Sequence, residues 1–125
     1  MSEPKSKRIL VVDNDAMYLR MAEYILKQNS YEVVLASSGY EGIGKIQNED
    51  IDLVLLDIEM PNLSGMETLE KIRMFSEYKD LPVIFLTASG DKKDVVHAGT
   101  LGAVGYVRKP FEPEELLSRV AKVFE

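Results

Sequence analysis

Short apolar runs recur five times along the chain, and between them the apolar spacing changes. The runs are "RILVVD" (8–13), "YEVVLA" (31–36), "DLVLLD" (52–57), "PVIFLT" (82–87) and "GYVRK" (105–109). Near-continuous apolar runs of this length read as strands covered on both faces, the pattern of a parallel sheet.

The intervening segments have helical spacing. In 15–28, Tyr18, Leu19, Ala22, Ile25 and Leu26 fall on one face of a helix. Segment 38–48 opens on Ser38, an N-cap residue. Its Gly42 and Gly44 each cost about 1 kcal/mol against Ala, so it is expected to be the weakest helix. Segments 65–76 and 91–101 follow. The last, from Glu112, has Pro113 at its start and Glu114 and Glu115 in the first turn, where the helix dipole favours them. Leu116, Leu117, Val120 and Phe124 form its apolar stripe. Five strands alternating with five helices imply right-handed crossovers and a three-layer α/β sandwich.

Composition narrows the function. The chain has 125 residues, 46% of them hydrophobic and 29% charged, which suits one globular domain. Residues 1–7 are expected to be a flexible polar arm and 8–125 the folded unit. With no cysteine, disulfides and thiolate metal sites are excluded. A net charge of −6 argues against direct nucleic-acid binding, which rests on Lys and Arg neutralising phosphates. Apolar runs of about five residues fall far short of the roughly 20 that a membrane helix needs. Membrane insertion is therefore not expected, and a cytoplasmic location is.

Polar residues then cluster at the strand ends. In open α/β sheets, ligands bind beyond the carboxyl ends of the strands. Asp13 (followed by Asn14 and Asp15), Asp57, Thr87 and Lys109 (followed by Pro110) stand there. Paired carboxylates repel by several kcal/mol at close range in a partly buried site, so a cation is needed beside them. Oxygen ligands favour a hard ion such as Mg²⁺. A hydroxyl and an ammonium nearby complete a phosphate cradle, in which a carboxylate can be the nucleophile.

At these residues the chain resembles the receiver domain of bacterial two-component response regulators. The motifs are "ILVVDND" at 9–15, "LVLLDIEMPNLSG" at 53–65, "VIFLTAS" at 83–89 and "GYVRKPF" at 105–111. The resemblance implies a flavodoxin-like doubly wound (βα)5 fold with strand order 2-1-3-4-5. It implies that Asp57 is the phosphoacceptor, charged by a sensor histidine kinase or a phosphotransfer protein. Mg²⁺, or Mn²⁺ in its place, would be held by Asp13, Asn14, Asp57 and the backbone carbonyl of Glu59. Thr87 and Lys109 would bind the phosphoryl group, Lys109–Pro110 would be cis, and Tyr106 would be the switching aromatic. Glu59 and Ser89 sit where the family tunes phosphoryl lifetime. The expected readout is a changed face of helix 4, strand 5 and helix 5, read by a downstream protein. Such a chain is a signalling protein rather than an enzyme, catalysing at most its own phosphorylation and dephosphorylation.

Three departures carry expectations of their own. Asn14 stands where the family usually has an acid, so weaker Mg²⁺ binding and slower phosphorylation are expected. Ala103, Val104 and Gly105 replace acidic residues that winged-helix regulators use to form a salt-bridged dimer, which argues against a transcription factor's receiver. Met17, Met21 and Tyr24 make a second apolar stripe on helix 1, read as a partner-docking surface or as a broad buried face. Asp15 is expected to cap helix 1 and His97 to be solvated.

Other functions fit less of the chain. A haloacid-dehalogenase-type phosphatase would use Asp13 as nucleophile and Asp15 as general acid, but its further acidic pair is absent. A flavodoxin-like FMN binder lacks its Ser/Thr/Gly-rich phosphate loop after strand 1. A receiver fold that no longer takes phosphate is countered by intact Asp57, Thr87 and Lys109.

Overall fold

The computed structural model describes residues 6–88 and 92–125. Residues 1–5 of the expected arm, Ser89 and Asp91 lie outside the described residues. Strands β1 (Arg8–Val12), β2 (Glu32–Ala36), β3 (Leu53–Asp57), β4 (Val83–Thr87) and β5 (Gly105–Arg108) form one sheet in the order β2-β1-β3-β4-β5. Every pairing is parallel. Helices α1 (Ala16–Lys27), α2 (Gly39–Asn48), α3 (Gly65–Arg73), α4 (Lys92–Thr100) and α5 (Pro113–Val123) connect the strands. The expected doubly wound architecture and strand order are therefore present.

Side-chain alternation splits the core in two. Ile9, Val11, Leu53, Leu55, Ile84 and Leu86 face α1 and α5, meeting Leu19, Leu26, Leu116 and Val120. Leu10, Val12, Val54, Leu56 and Phe85 face the other way, meeting Leu69 and Ile72 of α3 and Ala98 of α4. The central strands β3 and β4 are buried at every residue. The edge strands are not: Glu32 and Arg108 are exposed, Val33, Val34, Leu35, Gly105 and Tyr106 are half-buried, and Ala36 and Val107 alone are buried. All five runs read as doubly covered strands, but the outer two have a neighbour on one side only.

Local chemistry sets the helix starts. The Asp15 carboxylate accepts from the Met17 N–H at 2.9 Å and caps α1, as expected. Ser64 and Glu67 form a reciprocal capping box at the start of α3. Gly42 is required by packing, since a Cβ there would stand 2.9 Å from Val12 Cγ2 of β1. Helix α3 stops at Arg73, short of the expected 76, and Ser76–Tyr78 forms a 3₁₀ turn. The Arg73 guanidinium explains the early stop. It donates to the carbonyls of Tyr78 and Leu81 at 2.7 and 2.8 Å, folding the chain back on the helix end.

Candidate functional site

Parallel strands bring their carboxyl ends to one edge. Asp13 directly follows β1 and continues its ladder through one more bond, donating from its N–H to the Ala36 carbonyl at 3.1 Å. Asp57 closes β3, Thr87 closes β4, and Lys109 follows β5. Asp13 and Thr87 are wholly buried, and Asp57 is 4% exposed. A cavity of about 320 Å³ is lined by Asp13, Asn14, Tyr18, Asp57, Glu59 and Lys109.

The ammonium of Lys109 joins the two carboxylates. Its Nζ lies 2.5 Å from Asp13 Oδ2 and 3.3 Å from Asp57 Oδ1. The other Asp13 oxygen accepts from the Asp15 N–H at 2.9 Å. Asp57 Oδ1 also accepts a long bond of 3.4 Å from the Glu59 N–H. The repulsion expected between the carboxylates is thus offset here by lysine.

Burial pushes the Asp57 carboxyl up to about 6, and the Asp13 charge adds to the rise against the opposing pull of Lys109. Burial alone would push the Lys109 amine down. The close polar contact and charge of Asp13, then the charge of Asp57, outweigh it and hold the amine above its ordinary value. The site therefore keeps a protonated amine against a carboxylate whose charge is poorly solvated. Poor solvation of this kind is what makes a carboxylate reactive toward an electrophile.

The oxygen donors fit a hard cation. Asp13 Oδ2 is buried, and among the described residues its contact is with the Lys109 ammonium, outside ideal hydrogen-bond alignment. Asn14 and Glu59 border the same cavity. Among the described residues no three acidic or histidine side chains converge on one point. Two carboxylates and an amide make an incomplete set, of the kind Mg²⁺ completes with water and a phosphoryl group.

Thr87 ends β4 and Tyr106 lies on the neighbouring β5; neither is among the residues that line this cavity. The Thr87 hydroxyl donates to Glu59 Oε1 at 3.4 Å. Tyr106 pairs with Phe85 in the β4–β5 register and packs half-buried against the second core cluster. Burial pushes its phenol up, and a hydrogen bond with Thr87 draws it back. The Lys109–Pro110 bond is cis.

Residues 9–121 match the family model for the response regulator receiver domain. The chain belongs to that family. The receiver domain is 32% identical to the chemotaxis protein CheY4 of Vibrio cholerae, with a TM-score of 0.91 over 95% of this chain and 99% of that one. A CheY-like receiver from Methanospirillum hungatei is 35% identical, with a TM-score of 0.88, covering 94% of this chain and 93% of that one. Among curated proteins, the probable transcriptional regulator ycf27 of Cyanophora paradoxa is 42% identical over 94% of this chain and 48% of its own length. The Escherichia coli phosphate regulon transcriptional regulatory protein PhoB is 35% identical over 94% of this chain and 52% of its own. The receiver domain spans about half the length of these two curated relatives.

Two placements add to the helical-spacing reading. Tyr18, counted with the core stripe of α1, packs half-buried against the first core cluster and also lines the acidic cavity, its ring beside Lys109. Its one signal in the sequence is its place in the first turn of α1, three residues past Asp15. The second apolar stripe divides: Met21 packs on the core, whereas Met17 and Tyr24 are 57% and 68% exposed. A broad buried face therefore does not account for Met17 and Tyr24. His97 is exposed and lies 3.5 Å from Glu70 of α3. No helix among the described residues is long and apolar enough to cross a membrane.

Proposed function

We propose that this receiver domain accepts a phosphoryl group on Asp57 from a phosphohistidine and converts that charge into a changed surface at α4, β5 and α5. One observation carries the reading: a single buried ammonium bridges Asp57 and Asp13 at the carboxyl edge of the sheet. An Asp57 oxygen attacks phosphorus, the P–N bond of the donor breaks, and its electron pair leaves with the imidazole. Lys109 lies within reach of the new phosphoryl oxygens and offsets their charge. Mg²⁺, when bound, supplies further charge to those oxygens; Asp13, Asn14, Asp57 and the Glu59 backbone carbonyl are the donors to hold it, and Mn²⁺ can substitute.

The switch follows from hydrogen bonds already present. Thr87 exchanges its long bond to Glu59 for one to a phosphoryl oxygen. Tyr106, bonded to Thr87, loses its partner's position and moves with it. Val95, Val96 and Val104 give the adjoining face exposed apolar area for a downstream protein. On the other side of the molecule, Met17 and Tyr24 supply an apolar docking surface for the sensor kinase or phosphotransfer protein.

The phosphatase reading is weakened by two contacts. Asp15, its general acid, is engaged in capping α1. Asp13, its nucleophile, is wholly buried and closest to the lysine. Incubation with acetyl phosphate and Mg²⁺, followed by intact mass measurement, is the test. Wild type should gain one phosphoryl mass; Asp57→Ala and chelator-treated wild type should gain none. Undiminished uptake by Asp57→Ala would refute the proposal.

A further inference from the structure

Among the described residues, Lys109 meets three groups at its ammonium. Two are the carboxylates of Asp13 and Asp57. The third is the ring of Tyr18, whose centroid lies 4.3 Å from Nζ. That is within the range at which the negative face of an aromatic ring attracts a cation. Tyr18 is itself backed by an aromatic. Its ring meets that of buried Phe111 at 5.7 Å between centroids, tilted by 50°. Phe111 follows Lys109 by two residues, so one short turn delivers both the lysine and the support for the tyrosine.

The ring has a specific use at this point. The Lys109 side chain is only 9% exposed, so little water is left to solvate its charge. A lysine is a point charge on a flexible stem, and nothing in its own geometry fixes its direction. An aromatic face attracts the ammonium without presenting a lone pair that competes with the carboxylates or with incoming phosphoryl oxygens. It also walls the cavity beside Asn14 and Asp15. An aliphatic side chain would cover the lysine but exert no such attraction.

We infer that Tyr18 is a positioning residue of the acceptor site, whose ring face holds the Lys109 ammonium over Asp13 and Asp57. Its effect on phosphoryl uptake rests on the acceptor reading above; the positioning itself does not. A ring that merely fills the seam between α1 and the turn after β5 would leave the lysine unaffected when replaced by another side chain of similar size.

Two readouts on Tyr18→Phe and Tyr18→Leu test this. In NMR spectra of the metal-free protein, the Lys109 methylene protons next to Nζ should be shifted upfield by the ring current. The shift should persist in Tyr18→Phe and vanish in Tyr18→Leu. Phosphoryl uptake from acetyl phosphate at saturating Mg²⁺ should be about tenfold slower in Tyr18→Leu and within about twofold of wild type in Tyr18→Phe. If Tyr18→Leu does not fold, Tyr18→Met, ringless and long, takes its place. An unshifted Lys109 in wild type overturns the inference, as does a Leu variant as fast as wild type or a Phe variant as slow as Leu. A wild type that takes up no phosphoryl group sinks the acceptor reading instead, and the NMR result still decides the role of Tyr18.

Discussion

Asp57 carries a charge that its surroundings solvate poorly, and that has a consequence for stability. Its folded carboxyl titrates at about 6, against 3.8 for the ordinary group. The folded state therefore binds more protons than the unfolded state between those values. This contribution to stability is complete below about pH 4 and is lost as pH rises through 6. Asp57→Asn removes the ionising group, so the variant should be more stable than wild type at pH 7 by about 1–3 kcal/mol. The gap should close as the pH is lowered from 6 to 4. Denaturant midpoints across that range, without divalent ions, check it; a gap independent of pH contradicts it.

Asn14 makes the second prediction at this scale. It is exposed and borders the cavity, offering an amide oxygen where a carboxylate would add a full charge. Asn14→Asp should tighten Mg²⁺ binding roughly tenfold and speed phosphorylation. Equal Mg²⁺ affinities in a titration of the two proteins reject the idea. Tyr18 shows where helical spacing stops short. Helical spacing groups it with Leu19 and Ala22, and only the return of β5 brings Lys109 against its ring. A contact between residues 18 and 109 has no local signature. Asp13, Asp57, Thr87 and Lys109 were legible because each stands at or just past the end of an apolar run.

Elements hold the site by their ends. Gly65 begins α3 and packs against the end of β3: a Cβ there would lie 2.2 Å from the Asp57 carbonyl oxygen and 2.7 Å from Ile58 Cα. The obstacle is backbone, which cannot swing aside. Gly65→Ala should cost about 2 kcal/mol and displace the Asp57 backbone, slowing phosphorylation as well. An Ala variant with unchanged thermal midpoint and rate would show that α3 yields freely. The existence and type of the five strands and five α-helices were legible, since apolar runs of four to six residues and helical spacing seldom coincide; the 3₁₀ turn at Ser76–Tyr78 was not. The burial of the edge strands was not, because strand order is a long-range property. Nor was the end of α3, which depends on Arg73 reaching carbonyls outside its own helix, including that of Leu101 at 3.0 Å.

At the scale of the whole molecule, two exposed apolar surfaces lie on helices from opposite faces of the sheet. Met17 and Tyr24 lie on α1, while Val95, Val96 and Val104 lie on and beside α4. If the first surface receives the donor, changing both Met17 and Tyr24 to Ser should slow transfer from a phosphohistidine protein. Melting temperature and uptake from acetyl phosphate should stay nearly unchanged, because neither side chain is buried. A matching loss with both donors would assign the effect to the site instead. The family match and the sheet order account for the framework. The chemistry rests on which carboxylate reacts.

Peptide mapping of the phosphorylated protein, with the acyl phosphate trapped by borohydride reduction, decides that most directly. The account predicts that the modified residue is Asp57 and that Asp13 is untouched. Modification at Asp13, or at any acidic residue outside the lysine-bridged pair, would contradict it.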